Sequence, residues 1–125
     1  MNDFEVEKNV LTINNFIIKF DYVISIVKFI DGTYIVLLDT PVGADGIDNI
    51  YGVASDGAII WRVENPIKAF GLSENTQGFE YYAKSIYVDI SLGDNKNLSG
   101  TTFFGMKYII DCKTGKLLEK DYIRW

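Results

Sequence analysis

"NIYGVASDGAIIWRV" spans residues 49 to 63, and its reading decides the architecture of the whole chain. Two short apolar runs flank Asp56-Gly57. Asp-Gly between such runs is a hairpin signal, because tight hairpin turns need residues that accept positive φ. A two-residue turn pairs Ala54 with Ile59, Gly52 with Trp61 and Ile50 with Val63, and puts those six side chains on one face. Gly52 leaves open space opposite the Trp61 indole, so the ring can cover bare backbone and rescue a glycine inside a strand. The other face, with Tyr51, Val53, Ile60 and Arg62, is mixed, as expected of a half-exposed hairpin.

The same pattern extends in both directions. "YVISIVKFI" (22 to 30) and "TYIVLLD" (33 to 39) flank Asp31-Gly32. Pairing across that turn sets Phe29 opposite Tyr34, Val27 opposite Val36 and Ile26 opposite Leu37. Both faces of this hairpin are mostly apolar, which predicts a central position covered on both sides. "NVLTI" (9 to 13) and "FIIKF" (16 to 20) flank Asn14-Asn15. "AKSIYVDISL" (83 to 92) alternates with period two, placing Ile86, Val88, Ile90 and Leu92 on one face. "TTFFGMKYIID" (101 to 111) and "KLLEKDYIRW" (116 to 125) bracket "CKTG", where Gly115 is expected in the left-handed conformation that closes a bulged turn. "ENPIKAFGLSENTQGFE" (64 to 80) has room for one helical turn between Pro66 and Gly71 and reads as a long connection or flap. No segment carries a helical stripe. The expectation is one all-β domain over residues 1 to 125, with eight or nine mainly antiparallel strands in a sandwich or partly open barrel.

Composition agrees. The chain has 125 residues, 48% apolar, 14% aromatic and 23% charged, a size that buries a core without a metal or disulfide staple. Cys112 stands alone, so no internal disulfide can form and a reducing compartment is expected. The start, "MNDFEVEKNV", is acidic where a signal peptide is basic, and no run approaches a membrane span. A cytoplasmic location is expected, with no membrane partner, as monomer or homodimer. The net charge of -5 is uneven: residues 1 to 64 carry -6 and the rest +1. That balance argues against nucleic acid and suits a basic protein partner.

Two segments share a further pattern. "IYGVASDGAIIW" and "KYIIDCKTGKLLE" run strand, acidic turn with glycine, strand. Tyr51, Val53, Asp56, Gly57 and Trp61 in the first, and Tyr108, Ile110, Asp111, Thr114 and Gly115 in the second, resemble the blade repeat of quinoprotein-type β-propellers. Glu119 stands where that repeat has Trp. The two matches together cover about a fifth of the chain, and a propeller needs at least four blades of about 40 residues. Neither cofactor nor enzymatic activity is carried over. In its general character the chain resembles small uncharacterised bacterial all-β proteins of the immunity or accessory type.

The chain has no histidine, which removes histidine bases, Ser-His and Cys-His pairs and most zinc sites. Carboxylate pairs are the remaining route to hydrolysis, and no pair stands out. A calcium site built on Asp39, Asp45 and Asp48 lacks EF-hand spacing. Cys112, between Asp111 and Lys113, reads as inert. No cofactor, metal or catalytic residue is expected. The leading expectation is a non-enzymatic, immunity-like binding protein that occludes a basic partner through Asp39, Asp45, Asp48 and Asp56. The alternative is a small-molecule pocket between sheets under the 64 to 80 connection, with Trp61, Phe70, Tyr81 and Tyr82 near the ligand.

Overall fold

The computed structural model describes residues 4–40, 47–71, 86–92, 97–103 and 105–122. Its strands are β1 (Phe4–Glu7), β2 (Val10–Ile13), β3 (Phe16–Lys19), β4 (Val23–Ile30), β5 (Thr33–Asp39), β6 (Ile50–Val53) and β7 (Ile59–Arg62). After the short helix α1 (Pro66–Phe70) come β8 (Tyr87–Leu92), β9 (Leu98–Thr102), β10 (Met106–Ile110) and β11 (Leu117–Tyr122). They form three antiparallel meanders: β1-β2-β3, β4-β5-β6-β7 and β8-β9-β10-β11. The fold is all-β, and among the described residues the sheets are open and form no closed barrel.

Turn chemistry sets the hairpins. Asn14-Asn15 and Asp31-Gly32 all have positive φ, between 47° and 86°, as type I′ turns require. The Asp31-Gly32 turn gives the expected register of Phe29 to Tyr34, Val27 to Val36 and Ile26 to Leu37. The Asp56-Gly57 connection differs. The Gly57 N–H donates to the Ala54 carbonyl at 2.9 Å, and the Ala54 N–H donates to the Ala58 carbonyl at 2.8 Å. The loop thus has three residues and ends on a left-handed Gly57, φ 86°. The added residue shifts the register between Gly52 and Val53, so Ile59 lies opposite Val53, not Ala54, while Gly52 still faces Trp61.

Two further expectations are corrected. The strand count is eleven among the described residues, not eight or nine. The acidic "FEVE" makes β1. The 101–111 run folds back at Gly105 (φ 88°), whose N–H donates to the Thr102 carbonyl at 3.0 Å, so it spans the end of β9 and all of β10. In β8 a bulge between Tyr87 and Asp89 breaks the alternation. Tyr87 and Ile90 are buried, and Val88 and Leu92 are exposed.

The middle meander is covered on both faces, as its apolar hairpin predicted. Tyr34, Val36, Leu38 and Val53 pack with Leu11, Ile13, Ile18 and Phe20 of the first meander. Ile35, Leu37, Ile50, Trp61 and Val63 pack with Tyr87, Ile90, Leu98, Tyr108, Ile110 and Leu117 of the third. The two joints use the same devices. Phe16 on β3 lies against Gly57 in the β6–β7 loop, and Trp61 on β7 lies against Gly115 in the β10–β11 loop. The Ile24 N–H donates to the Lys8 carbonyl at 2.8 Å, and the Tyr87 N–H donates to the Asn49 side chain at 2.8 Å. Each bond runs from the start of one meander's first strand to the residues just before the preceding meander's β2 or β6. The joint between the first and second meanders is thus built as the joint between the second and third is.

Candidate functional site

Residues 47–49, just before β6, and residues 63–71, after β7, meet beside the joint of the second and third meanders. Asn65 begins α1, and its side chain accepts the Ile67 N–H at 2.9 Å. Pro66 occupies the first helical turn, and Gly71 closes the helix with φ 65°. The Asn65 amide also donates to both Asp48 carboxylate oxygens, at 3.1 and 3.3 Å. Arg62 donates to the Asp48 carbonyl at 3.0 Å and to the Ile47 carbonyl at 2.7 Å. These bonds fix the end of the loop. At the far end of α1, Phe70 stacks on Tyr108 with ring centroids 6.1 Å apart, and the Lys120 ammonium lies 5.0 Å from the Phe70 centroid.

The structure separates the three candidate aspartates it describes. Asp39 ends β5 opposite Val23 and is exposed. Asp48 is partly buried, at φ 55°. Asp45 lies outside the described residues. Asp56 sits beyond Val53, which pairs with Tyr34 at the opposite end of β5, about 15–20 Å from Asp39 at the usual strand rise. Its carboxylate accepts the Ala58 N–H at 3.0 Å, so it holds its own turn.

The alternative ligand set is also divided. Trp61 is 7% exposed and its indole N–H donates to the Cys112 carbonyl at 3.0 Å, which makes it part of a joint between sheets. Phe70 is half-buried over Tyr108. Tyr81 and Tyr82 lie outside the described residues. Sequence reasoning passed over Asn49, Asn65 and Tyr87. The Tyr87 hydroxyl is buried and has no hydrogen-bond partner among the described residues. Burial, then Tyr108 and Asp48, push its pKa well above the ordinary tyrosine value. The Cys112 thiol is buried, and burial, then Asp111 and Asp31, push its pKa up. It is held as the unreactive thiol. Among the described residues no group of three His, Cys, Asp or Glu could hold a metal ion, and no helix is long and apolar enough to cross a membrane.

Asp48 carries a pH dependence. Burial raises its pKa above the ordinary 3.8, against the opposing effects of Asn65 and Arg62. The folded state then holds the proton more tightly than the unfolded chain. The resulting stabilisation is complete below the ordinary carboxylate pKa and is lost as pH rises through the raised value. Asn tolerates positive φ as Asp does. Asp48→Asn is therefore expected to be as stable as the native chain or more so at pH 7, with the difference shrinking towards pH 3. Thermal melts across that range check it, and a variant less stable at pH 7 than at pH 3, relative to the native chain, contradicts it.

A family model described as Domain of unknown function (DUF7957) matches residues 1–122. No curated protein matches the chain. Among solved structures, the chain is similar to the crystal structure of the computationally designed Ika8 protein, at 12% identity and a TM-score of 0.56. The match covers 97% of this chain and 36% of that one, so this chain spans about a third of its length. That likeness concerns the fold alone.

Proposed function

The chain belongs to the DUF7957 family, and we propose that it is a non-enzymatic, immunity-like cytoplasmic protein that binds a basic protein partner through its β5–β6 loop. The observation that carries this reading is the fastening of the described end of that loop, at Ile47 and Asp48, by Arg62 and Asn65. A binding loop on a rigid sheet keeps its contacts without losing much entropy on association. The loop brings Asp39, Asp45 and Asp48 to a chain half that carries -6. Asp39 and Asp45 steer the partner; Asp48 shapes the loop base. Asp56 holds a turn at the other end, and this reading leaves it out of the contact.

The test is capture from native lysate at low salt, followed by association kinetics with the captured protein. Asp39→Asn with Asp45→Asn is expected to slow association about 3- to 10-fold at low salt, with the gap closing at high salt. Asp56→Asn is expected to leave the rate unchanged. Kinetics indifferent to both salt and the loop aspartates would overturn the reading. A second reading rests on the unpartnered Tyr87 hydroxyl: a small polar ligand entering beside α1, with Phe70 and Tyr87 at the site.

A further inference from the structure

The repeated joints between meanders align the strands of all three. Phe16 and Trp61 occupy equivalent places, as do Gly57 and Gly115, so β3 corresponds to β7 and β11. Then β2 corresponds to β6 and β10, and β1 to β5 and β9. Strands β4 and β8, each first in its meander, have no counterpart beside β1 among the described residues. Among the described residues the first meander has three strands where each of the others has four, and the difference falls on the β1 edge.

The neighbourhood of that edge is apolar. Strand β8 packs against both β4 and β5 of the preceding meander, so a counterpart beside β1 would cover β4 in the same way. Without it, Phe29 is 41% exposed on β4 and Val6 is 41% exposed on β1. Val27 is only partly buried. Phe29 and Val27 pair with Tyr34 and Val36, which face the first meander. The Phe29 and Tyr34 ring centroids are 4.8 Å apart, and those of Phe4 and Tyr34 5.8 Å. Aromatic contacts thus hold part of this wall together. On the other face of β1, Glu5 and Glu7 are both exposed.

We infer that the β1 edge accepts an extended strand from a partner protein, added antiparallel to β1. Main-chain hydrogen bonds to the β1 edge, which pairs with no strand on that side among the described residues, supply the pairing. Side chains alternate between faces. Those directed at the middle meander are apolar and cover Val6, Val27 and Phe29. Those directed away lie beside Glu5 and Glu7 and are basic, as opposite charges across a strand pair favour. The occupant is therefore a segment that alternates apolar and basic residues. This surface uses none of the loop aspartates and goes beyond the reading above. Either can fail without the other.

The probe is an eight-residue peptide alternating valine and lysine, titrated into the full chain at low salt, with amide hydrogen exchange followed residue by residue. Saturable binding that slows exchange at alternate amides of β1 is expected. Replacing the lysines by glutamate is expected to weaken binding about tenfold or more. Two further peptides carry N-methyl groups at every second residue, one in each phase. Only the phase that faces β1 should lose binding, because only that row of N–H groups meets the edge. Glu5→Lys with Glu7→Lys should reverse the preference between the lysine and glutamate peptides without altering the fold. Absent binding, binding that leaves β1 exchange unchanged, or equal behaviour of the two N-methylated phases would overturn the inference.

Discussion

Replacing Asn49 by Ala is expected to lower stability by about 3–4 kcal/mol while leaving the denaturant slope nearly unchanged. Asn49 is 2% exposed. Its amide donates to the Leu38 carbonyl at 2.7 Å and to the Tyr87 carbonyl at 2.9 Å. Its carbonyl oxygen accepts the Tyr87 N–H at 2.8 Å. One side chain therefore serves three main-chain groups and ties the middle meander to the third. Truncation leaves those groups buried without it, at about 1–3 kcal/mol each before relaxation. The backbone bond from the Leu38 N–H to the Asn49 carbonyl, 3.0 Å, survives the change and limits the loss. Asn49→Asp is the sharper variant. It keeps the shape and the acceptor but aims an anion at two carbonyls, so it should be at least as damaging at neutral pH and recover in part in acid. Urea melts of both variants check this. An Ala variant within about 0.5 kcal/mol of the native chain would mean the joint does not depend on the amide.

Asn49 also shows where the sequence was legible. Hairpins with Asp-Gly or Asn-Asn at their tips could be read in advance, because positive φ is a local demand met by few residues. The two apolar faces of 22–39 announced a middle sheet, because no solvated strand would carry both. The cover of Gly52 by Trp61 was legible too, since it joins neighbours on adjacent strands. What could not be read depends on contacts distant in sequence. Nothing near Asn49 says that its amide meets Tyr87, 38 residues away. The bulge in β8 places Val88 outward against its own pattern, while Tyr87 packs over Gly100 on the neighbouring strand. Likewise "FEVE" has too few apolar residues to reveal β1, which acquires its identity by pairing with β2. The candidate site fared less well than the fold. Proximity in sequence suggested one patch of aspartates, yet Asp39 and Asp56 sit at opposite ends of β5 because an antiparallel chain alternates ends at each turn. The Glu119 that departs from the propeller pattern has a physical reason. It lies opposite Ile109, facing away from the core, where no following sheet among the described residues presents a turn for a Trp to cover.

The second large effect is expected at Trp61 and is best read as a reversal of sign. Trp61→Ala should cost about 3–5 kcal/mol, as for other buried aromatic truncations. It removes a ring held between two glycines and a hydrogen bond to the Cys112 carbonyl. A Cβ added at Gly52 would stand 2.2 Å from Trp61 Cε2 and 2.4 Å from Nε1, closer than any real contact. In the native background Gly52→Ala must therefore displace the ring, at about 1–3 kcal/mol. In the Trp61→Ala background that obstacle is gone. The same Gly52→Ala change should then be neutral or stabilising by about 0.4–1 kcal/mol, because alanine restricts the unfolded chain more than glycine does. Gly115 separates steric from backbone effects. A Cβ there would stand 2.5 Å from Trp61 Cε3, and the residue also has φ 74°. Gly115→Ala should therefore remain destabilising by about 1 kcal/mol even without the Trp, because the left-handed backbone disfavours any Cβ. A double-mutant cycle by chemical denaturation measures both couplings. If Gly52→Ala cost the same with and without Trp61, the ring would not be what makes glycine necessary at position 52.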